Sequence, residues 1–575
     1  MFRFESRDRS YSNWELVEVA GAGSVTPDGV DPLANRWITG DLVSSEFRLV
    51  TSPVREGELM AGILVLSGST YGRDLNGKLR YKCVPDDPRY PVFLVSYAAK
   101  DVGFSKKKVD RFVTFQWKDW SGKHPECFLV ENIGYVTDNQ AFYEYQLRRR
   151  GLLAAHLDGK KPRQLRVTEA LSSVSEEDAI DGMFEKWGLE DRTDRRVVTV
   201  DPAGCRDFDD ALGWEAGSGK VTASVYISNV PVWLEYLGLW GAVGGLPATV
   251  YLPHRTIPML PPALANNLCS LVSGKRRPAL ALDVSVSESG SVSMSYSVCV
   301  VNVAANYAYD DRSLETDPVY AGALSVAEVV REGSPYVTGR FDSHTLIAFY
   351  MMLMNTRAGE LLGAEKTGIA RTHPGSAPVG LSGCVGRVAE GYHGGSARYV
   401  PGGRPDDLGH ALVGDGVPHY MHTSSPIRRR VDIVNMVMLH TLLGLVPHGG
   451  AALAYVHMVQ TELADVNVQM AKISRVQTEC RILQVCTERP SVLDSEHVGV
   501  VIDTTCDVVS PGVLSHSIYM KDLEIMYRYK SEEPLELYGT YRFTVHMFRD
   551  EHTLNRKLKL SLCDSERVFA GVRDV

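Results

Sequence analysis

The segment VVTVDPAGCRDFDDAL (197–212) constrains this chain more than any other part of it. It sets Asp201, Asp207, Asp209 and Asp210 within ten residues, where a β-branched stretch that reads as a strand runs into a loop. Carboxylates this close raise one another's pKa and destabilise a fold unless something compensates. A divalent cation is the usual compensation. An all-oxygen set with few His or Cys nearby selects magnesium, or manganese, over zinc. Such ions suit phosphodiester hydrolysis. A solvated acidic turn and a calcium loop are the competing readings. An EF-hand requires Gly at its sixth position and Glu at its twelfth. Arg206 and Leu212 stand there, so that loop is excluded.

The chain of 575 residues has room for about four domains. Apolar residues make up 44% and charged residues 23%, enough to bury a sizeable core. The net charge of -9 excludes a globally basic nucleic-acid binder and leaves room for a locally basic channel. No apolar run reaches the roughly 18 residues of a membrane span, and MFRFESRDRSYSNWE lacks the apolar core of a secretory signal. Ten cysteines without a C-x-x-C pair argue against zinc and disulfides. A reducing, cytoplasmic or nuclear setting is expected.

Short strands are expected in 57–68 and 109–120, spaced as in small barrels. A basic stretch follows, with Arg148, Arg149, Arg150, Lys160, Lys161, Arg163 and Arg166. It reads equally as a solvated helix face or a nucleic-acid edge. Residues 167–190 read as a connector. Alternation of Val221, Ala223, Val225 and Ile227 predicts a strand with one buried face. Helices are expected over 343–363, 427–446 and 456–486, with 376–410 irregular. Strands return from 497. Ser424 or Ser425 before Pro426 reads as a helix start, whose N-terminus attracts phosphate beside Arg428 and Arg429. A capped helix with surface arginines is the plainer account.

The aspartate string resembles the signature of the ribonuclease II (RNB) family of exoribonucleases: Asp, then Asp-x-Asp-Asp-Ala, with Ala211 completing it. The segments TVYLPHRTIPMLPPALANNLCSLVSGKRRPALA (249–281), ARTHPG (370–375), HYMHTSSPIRRRVDIV (419–434) and MAKISRVQTE (470–479) resemble further family segments. The likeness is strong over about 190–490 and weaker outside. It implies a multidomain α+β fold. A first cold-shock-like barrel (1–50) and a second (51–145) precede a connector (146–190). A mixed α/β catalytic domain (191–490) and a C-terminal OB-fold (491–575) follow. The layout is nearest the eukaryotic exosome-type, Dis3-like branch, without its endonuclease domain, so no endonuclease activity is expected.

The resemblance implies a processive 3′–5′ exoribonuclease that degrades single-stranded RNA to nucleoside 5′-monophosphates by metal-assisted hydrolysis, working as a monomer or with RNA-degradation partners. Asp201, Asp207, Asp209 and Asp210 would hold the metal. Asp209 and Arg475 would be catalytic, Arg475 neutralising the scissile phosphate. The plainer account of Arg475 is an (i, i+4) ion pair with Glu479. Tyr251, Tyr309, Ser425, Arg428 and Arg429 would bind RNA, the tyrosines at its 3′ end. The chain departs from the pattern at Arg430 (a family Tyr), Met436-Val437 (a His-Arg pair) and Tyr226-Ile227-Ser228-Asn229 (His-Ile-Ala-Asp). A family Glu before Tyr420 has no clear match, Asp415 being the nearest acid. These departures bear on rate, processivity or substrate preference, while the four Asp and Arg475 argue for cleavage; the competing readings are a catalytically inactive RNA-binding regulator and a different two-metal enzyme such as a phosphatase.

Overall fold

The computed structural model describes residues 1–575 apart from 22, 99–107, 154–159, 218, 332–339, 373–396, 404–418, 507–511, 524 and 564–575, and apart from the side chains of 160–162 and 494. Most of the irregular 376–410 stretch and Asp415 lie outside the described residues.

Four β modules follow one another. Residues 2–51 form a five-stranded sheet, and Met60–Tyr135 contribute five strands to a closed barrel. A second closed barrel is built from Glu190–Asp201, Asp210–Gly217, Lys220–Ser228, Arg276–Ser287 and Val292–Ala308. A five-stranded sheet spans Glu496–Leu562. Among the described residues no helix is long and apolar enough to cross a membrane.

The Glu190–Ala308 barrel explains why the Lys220–Ser228 strand buries both faces rather than the expected one. It lies between Asp210–Gly217 and Arg276–Ser287. Val225 and Ile227 face the main core under the helices, whereas Tyr226 points inward among Ala211, Ala279 and Ala281. Gly213 is required there, because a Cβ would sit 2.8 Å from the Tyr226 ring. Inside the same barrel Arg192, 3% exposed, makes a two-pronged pair with Asp283 at 2.8 and 2.7 Å. Ser224 and Ser297 donate to Asp283 and accept from Arg192, respectively.

Three expectations are corrected. The helix expected over 427–446 does not begin at Ser425 and Pro426. Residues 426–428 form a turn, and the helix runs Arg430–Leu443 with Arg429 as an N-cap that makes no capping bond. Pro426 instead opens a turn in which the N–H groups of Arg428 and Arg429 both donate to Ser425 O. The 456–486 pattern divides at Glu462 into Gly450–Thr461 and Leu463–Glu488. The basic stretch is neither a solvated face nor a free edge at Arg148–Arg150. Arg148 pairs with Glu131 and Glu144, Arg149 with Asp86, and Arg150 with Glu479. These three arginines fasten the Asn139–Arg149 helix to neighbouring modules.

Asp283→Ala would remove the two-pronged partner of buried Arg192 and leave it only the part-exposed Glu190, 2.8 Å away. The loss should be about 3 kcal/mol or more of unfolding free energy. Urea denaturation checks it, and a loss under ~1 kcal/mol would show the pair to be dispensable.

Candidate active site

The acidic loop leaves the barrel at Asp201 and re-enters it at Asp210. Parallel pairing of Glu190–Asp201 with Val292–Ala308 sets Asp201 opposite Ala308, and the Tyr309 N–H donates to Asp201 O at 3.2 Å. The loop then folds back through a turn closed by Cys205 N–H to Pro202 O, with Gly204 at φ +82°. That conformation suits glycine. Ser270 fixes the next residues. It donates to Arg206 O at 2.8 Å and accepts from Phe208 N–H at 3.0 Å. Asp210 restarts the ladder opposite Ile227.

This path brings the acids together inside the protein. Asp209 and Asp210 are 2% and 7% exposed. Burial, joined by repulsion from neighbouring carboxylates, pushes Asp201 up to about 7, Asp209 to about 8 and Asp210 to about 7. Asp209 Oδ1 accepts the Ile427 N–H at 2.9 Å. Arg428 Nε stands 3.1 Å from Asp209 Oδ2. Its angle is not that of a hydrogen bond, so Asp209 Oδ2 has no donor, and Asp201 Oδ2 is likewise buried without one. Burial lowers the Arg428 pKa, but Asp209, Tyr251 and Asp210 together hold it above its ordinary value.

The other proposed residues fall around this cluster. The Tyr251 hydroxyl donates to Asp207 Oδ2 at 2.8 Å, and its N–H donates to Gln477 Oε1 at 2.8 Å. Tyr309 stacks on His344 with ring centres 3.7 Å apart. Ser425 accepts from Arg428 through its hydroxyl at 3.1 Å and donates its N–H to Asp432 at 2.7 Å. Arg429 is turned inward, 2.9 Å from Asp432 Oδ2. Asp432 is fully buried.

Arg475 is not among the groups brought to the aspartates. It lies on an exposed face of Leu463–Glu488 and makes no hydrogen bond or ion pair among the described residues. Its expected ion pair with Glu479 is also absent, because Glu479 pairs with Arg150 at 2.6 Å. The guanidinium beside Asp209 belongs to Arg428. Gln477, Ser270 and Ile427 also escape sequence reading, since all three bond to residues far away in the chain, Gln477 and Ser270 through side chains that meet distant backbone and Ile427 through its own N–H.

Hard oxygen donors and two donor-free buried carboxylate oxygens fit a divalent cation. No group of three or more His, Cys, Asp or Glu side chains among the described residues already encloses one. Arg428, Tyr251 and the Ile427 N–H occupy positions around the carboxylates that a cation would contest.

Residues 189–317 match the family model described as RNB domain. Exoribonuclease 2 of Cronobacter sakazakii is 35% identical over 139 residues, 24% of this chain and 22% of that protein. DIS3-like exonuclease 2 of Schizosaccharomyces pombe is 28% identical over 180 residues, 31% of this chain and 18% of that protein. The matched part is thus about a fifth of those relatives' length. The fold is shared more widely. A solved Mycoplasma genitalium RNase R in complex with ribose methylated single-stranded RNA superposes with a TM-score of 0.64 at 15% identity, covering 98% of this chain and all of that one. Yeast Ssd1, described as a pseudonuclease, superposes at 0.55 with 14% identity over 94% of this chain and 80% of that one. The part of the chain that matches the RNB domain, 189–317, contains the whole aspartate signature.

In the absence of metal these acids keep protons that an unfolded chain, with carboxyl pKa values near ~4, would release. The native state then binds more protons than the unfolded state between about pH 4 and 8, so stability falls as pH rises through that window. Metal-free Asp209→Asn should melt several degrees above the parent at pH 8, with the gap shrinking toward pH 4. Scanning calorimetry across pH tests this; a gap that ignores pH contradicts it.

Proposed function

We propose that this chain is a 3′–5′ exoribonuclease that shortens single-stranded RNA by metal-assisted hydrolysis and releases nucleoside 5′-monophosphates. The observation that carries the reading is the buried convergence of Asp201, Asp209 and Asp210, which leaves two carboxylate oxygens without donors. Asp201, Asp207, Asp209 and Asp210 would hold magnesium or manganese. A cation there supplies Lewis-acid polarisation of the phosphate and acidifies water.

The chain's own residues divide the remaining work. Arg428 faces the cluster with a side chain 46% exposed, so its guanidinium can turn from Asp209 to an arriving phosphate. We assign to Arg428 the charge neutralisation that the family resemblance put on Arg475. Tyr251 holds Asp207 and presents a ring 40% exposed at the mouth of the site. Tyr309 supplies a second aromatic face beside Asp201, already matched to His344. Stacking on such rings tolerates any base, which suits progression along a chain. Arg429 and Ser425 fix the turn that presents the Ile427 N–H to Asp209.

A second reading is an RNA-binding protein without turnover. The Arg428–Asp209 pair and the exposed Arg475 favour it. Incubation of the protein with 5′-labelled single-stranded RNA and magnesium separates the two. A ladder shortening from the 3′ end, lost on chelation, supports the exoribonuclease. Asp209→Asn should slow it by a factor of ~10² or more while RNA affinity changes less than about threefold. Binding of RNA with no shortening supports the second reading.

A further inference from the structure

We propose that Arg371 is a positioning residue that receives a backbone phosphate of single-stranded RNA next to the acidic cluster. The inference rests on the RNA-directed reading above. It begins from a charge imbalance. Arginines packed in and around the catalytic barrel are each matched by an acid: Arg192 by Asp283, Arg277 by Glu176, Arg428 by Asp209 and Arg429 by Asp432. Arg371 has no carboxylate partner among the described residues. Its Nε is buried without a hydrogen-bond acceptor. A guanidinium taken from water without an acceptor is costly, so such a group is held for a ligand or compensated by a neighbour.

The neighbours present are the side chains of Tyr399 and Tyr420 and another cation, Arg429. Burial lowers the Arg371 pKa, and Arg429 adds to the lowering, whereas the Tyr399 side chain opposes it. The guanidinium carbon lies 4.8 Å from the Tyr399 ring centre. That face contact is worth about 1 kcal/mol and brings no formal negative charge. An anion placed between Arg371 and Arg429 would satisfy both. A phosphodiester fits, since the planar guanidinium donates to two of its oxygens at once.

The surroundings are rigid and continuous with the active site. The Arg371 N–H donates to Tyr420 O at 2.7 Å, tying Ile369–Thr372 to the segment that leads into Ser424, Ser425 and the Ile427 turn. Asn467 clamps Tyr399 through its N–H and its carbonyl, both at 2.8 Å. The Tyr399 hydroxyl meets His422 Nδ1 at 2.9 Å. Arg371 is therefore held from both flanks, one strand away from the turn that contacts Asp209.

Binding of 5′-labelled single-stranded RNA to the full chain, measured without metal over a range of salt concentrations, tests this. Each phosphate contact adds about 0.7 to the slope of log affinity against log salt for single strands. Arg371→Gln should bind several-fold more weakly, with a slope smaller by about 0.7. Arg371→Lys should keep the slope. A packing role would change the melting temperature and leave the slope alone, and an unchanged slope in Arg371→Gln overturns the inference. Should Gln not fold, RNAs with single neutral methylphosphonates are bound to the parent and to Arg371→Lys. Loss of affinity that is non-additive at one phosphate supports the contact; additivity at every position overturns it. A parent chain that binds no RNA overturns the exoribonuclease reading itself, whereas normal binding with no Arg371 effect overturns only this assignment.

Discussion

The site is governed by the burial of carboxylates in excess of the cations beside them. Asp209 and Asp210 are almost removed from water, Asp201 is close to both, and Arg428 is the guanidinium at hand. Left alone, the cluster answers by holding protons to near-neutral pH. That is an expensive arrangement for stability and a useful one for recruiting positive charge. Every other feature of the site either keeps the acids in place or governs what reaches them.

The barrel supplies the first service. Parallel pairing of its first and last strands brings Tyr309 to Asp201, and antiparallel pairing at Ile227 returns Asp210 to the wall. Ser270 staples the intervening loop. The second service comes from more than two hundred residues away. The turn at 426–428 reaches across to give Asp209 one backbone donor and one guanidinium. Neither half is a site by itself, so the helical layer and the barrel must be docked before the cluster exists.

The sequence disclosed the aspartates because four like charges in ten residues have few structural excuses. Tyr251 was legible through its surrounding motif, and the long helices through apolar spacing. What stayed hidden was decided by partners distant in sequence. Arg148, Arg149 and Arg150 look like a free basic edge until Glu131, Glu144, Asp86 and Glu479 are folded against them. Pro426 looks like a helix start, since local chemistry permits one. The chain instead spends that turn on Asp209 and begins the helix at Arg430, whose N–H donates to Pro247 O. A helical wheel can say that Arg475 shares no face with Ile473, Val476 and Cys480, but not which other arginine stands by the acids.

The departures from the family pattern are built into the core rather than left as gaps. Asn229, where the pattern has Asp, is fully buried, and its Oδ1 caps the Val230–Tyr236 helix by accepting the Val232 N–H at 3.3 Å. That bond fixes the amide, so Nδ2 must donate to His440 Nε2, 3.3 Å away. His440 then carries its proton on Nδ1 and donates it to His448 Nε2 at 3.0 Å, and the His448 Nδ1–H faces Glu235 Oε2 at 3.6 Å. Burial drives both histidines toward the neutral form. A carboxylate at 229 would demand a donor from His440 Nε2 and reverse the whole series. The asparagine thus belongs to a neutral hydrogen-bond chain that ends at His448, and it reaches the acids only through the preceding Ser228 N–H, which donates to Asp209 O at 2.8 Å. Its effect on the aspartates is therefore one of backbone placement, which leaves their charge and their two donor-free oxygens as they are.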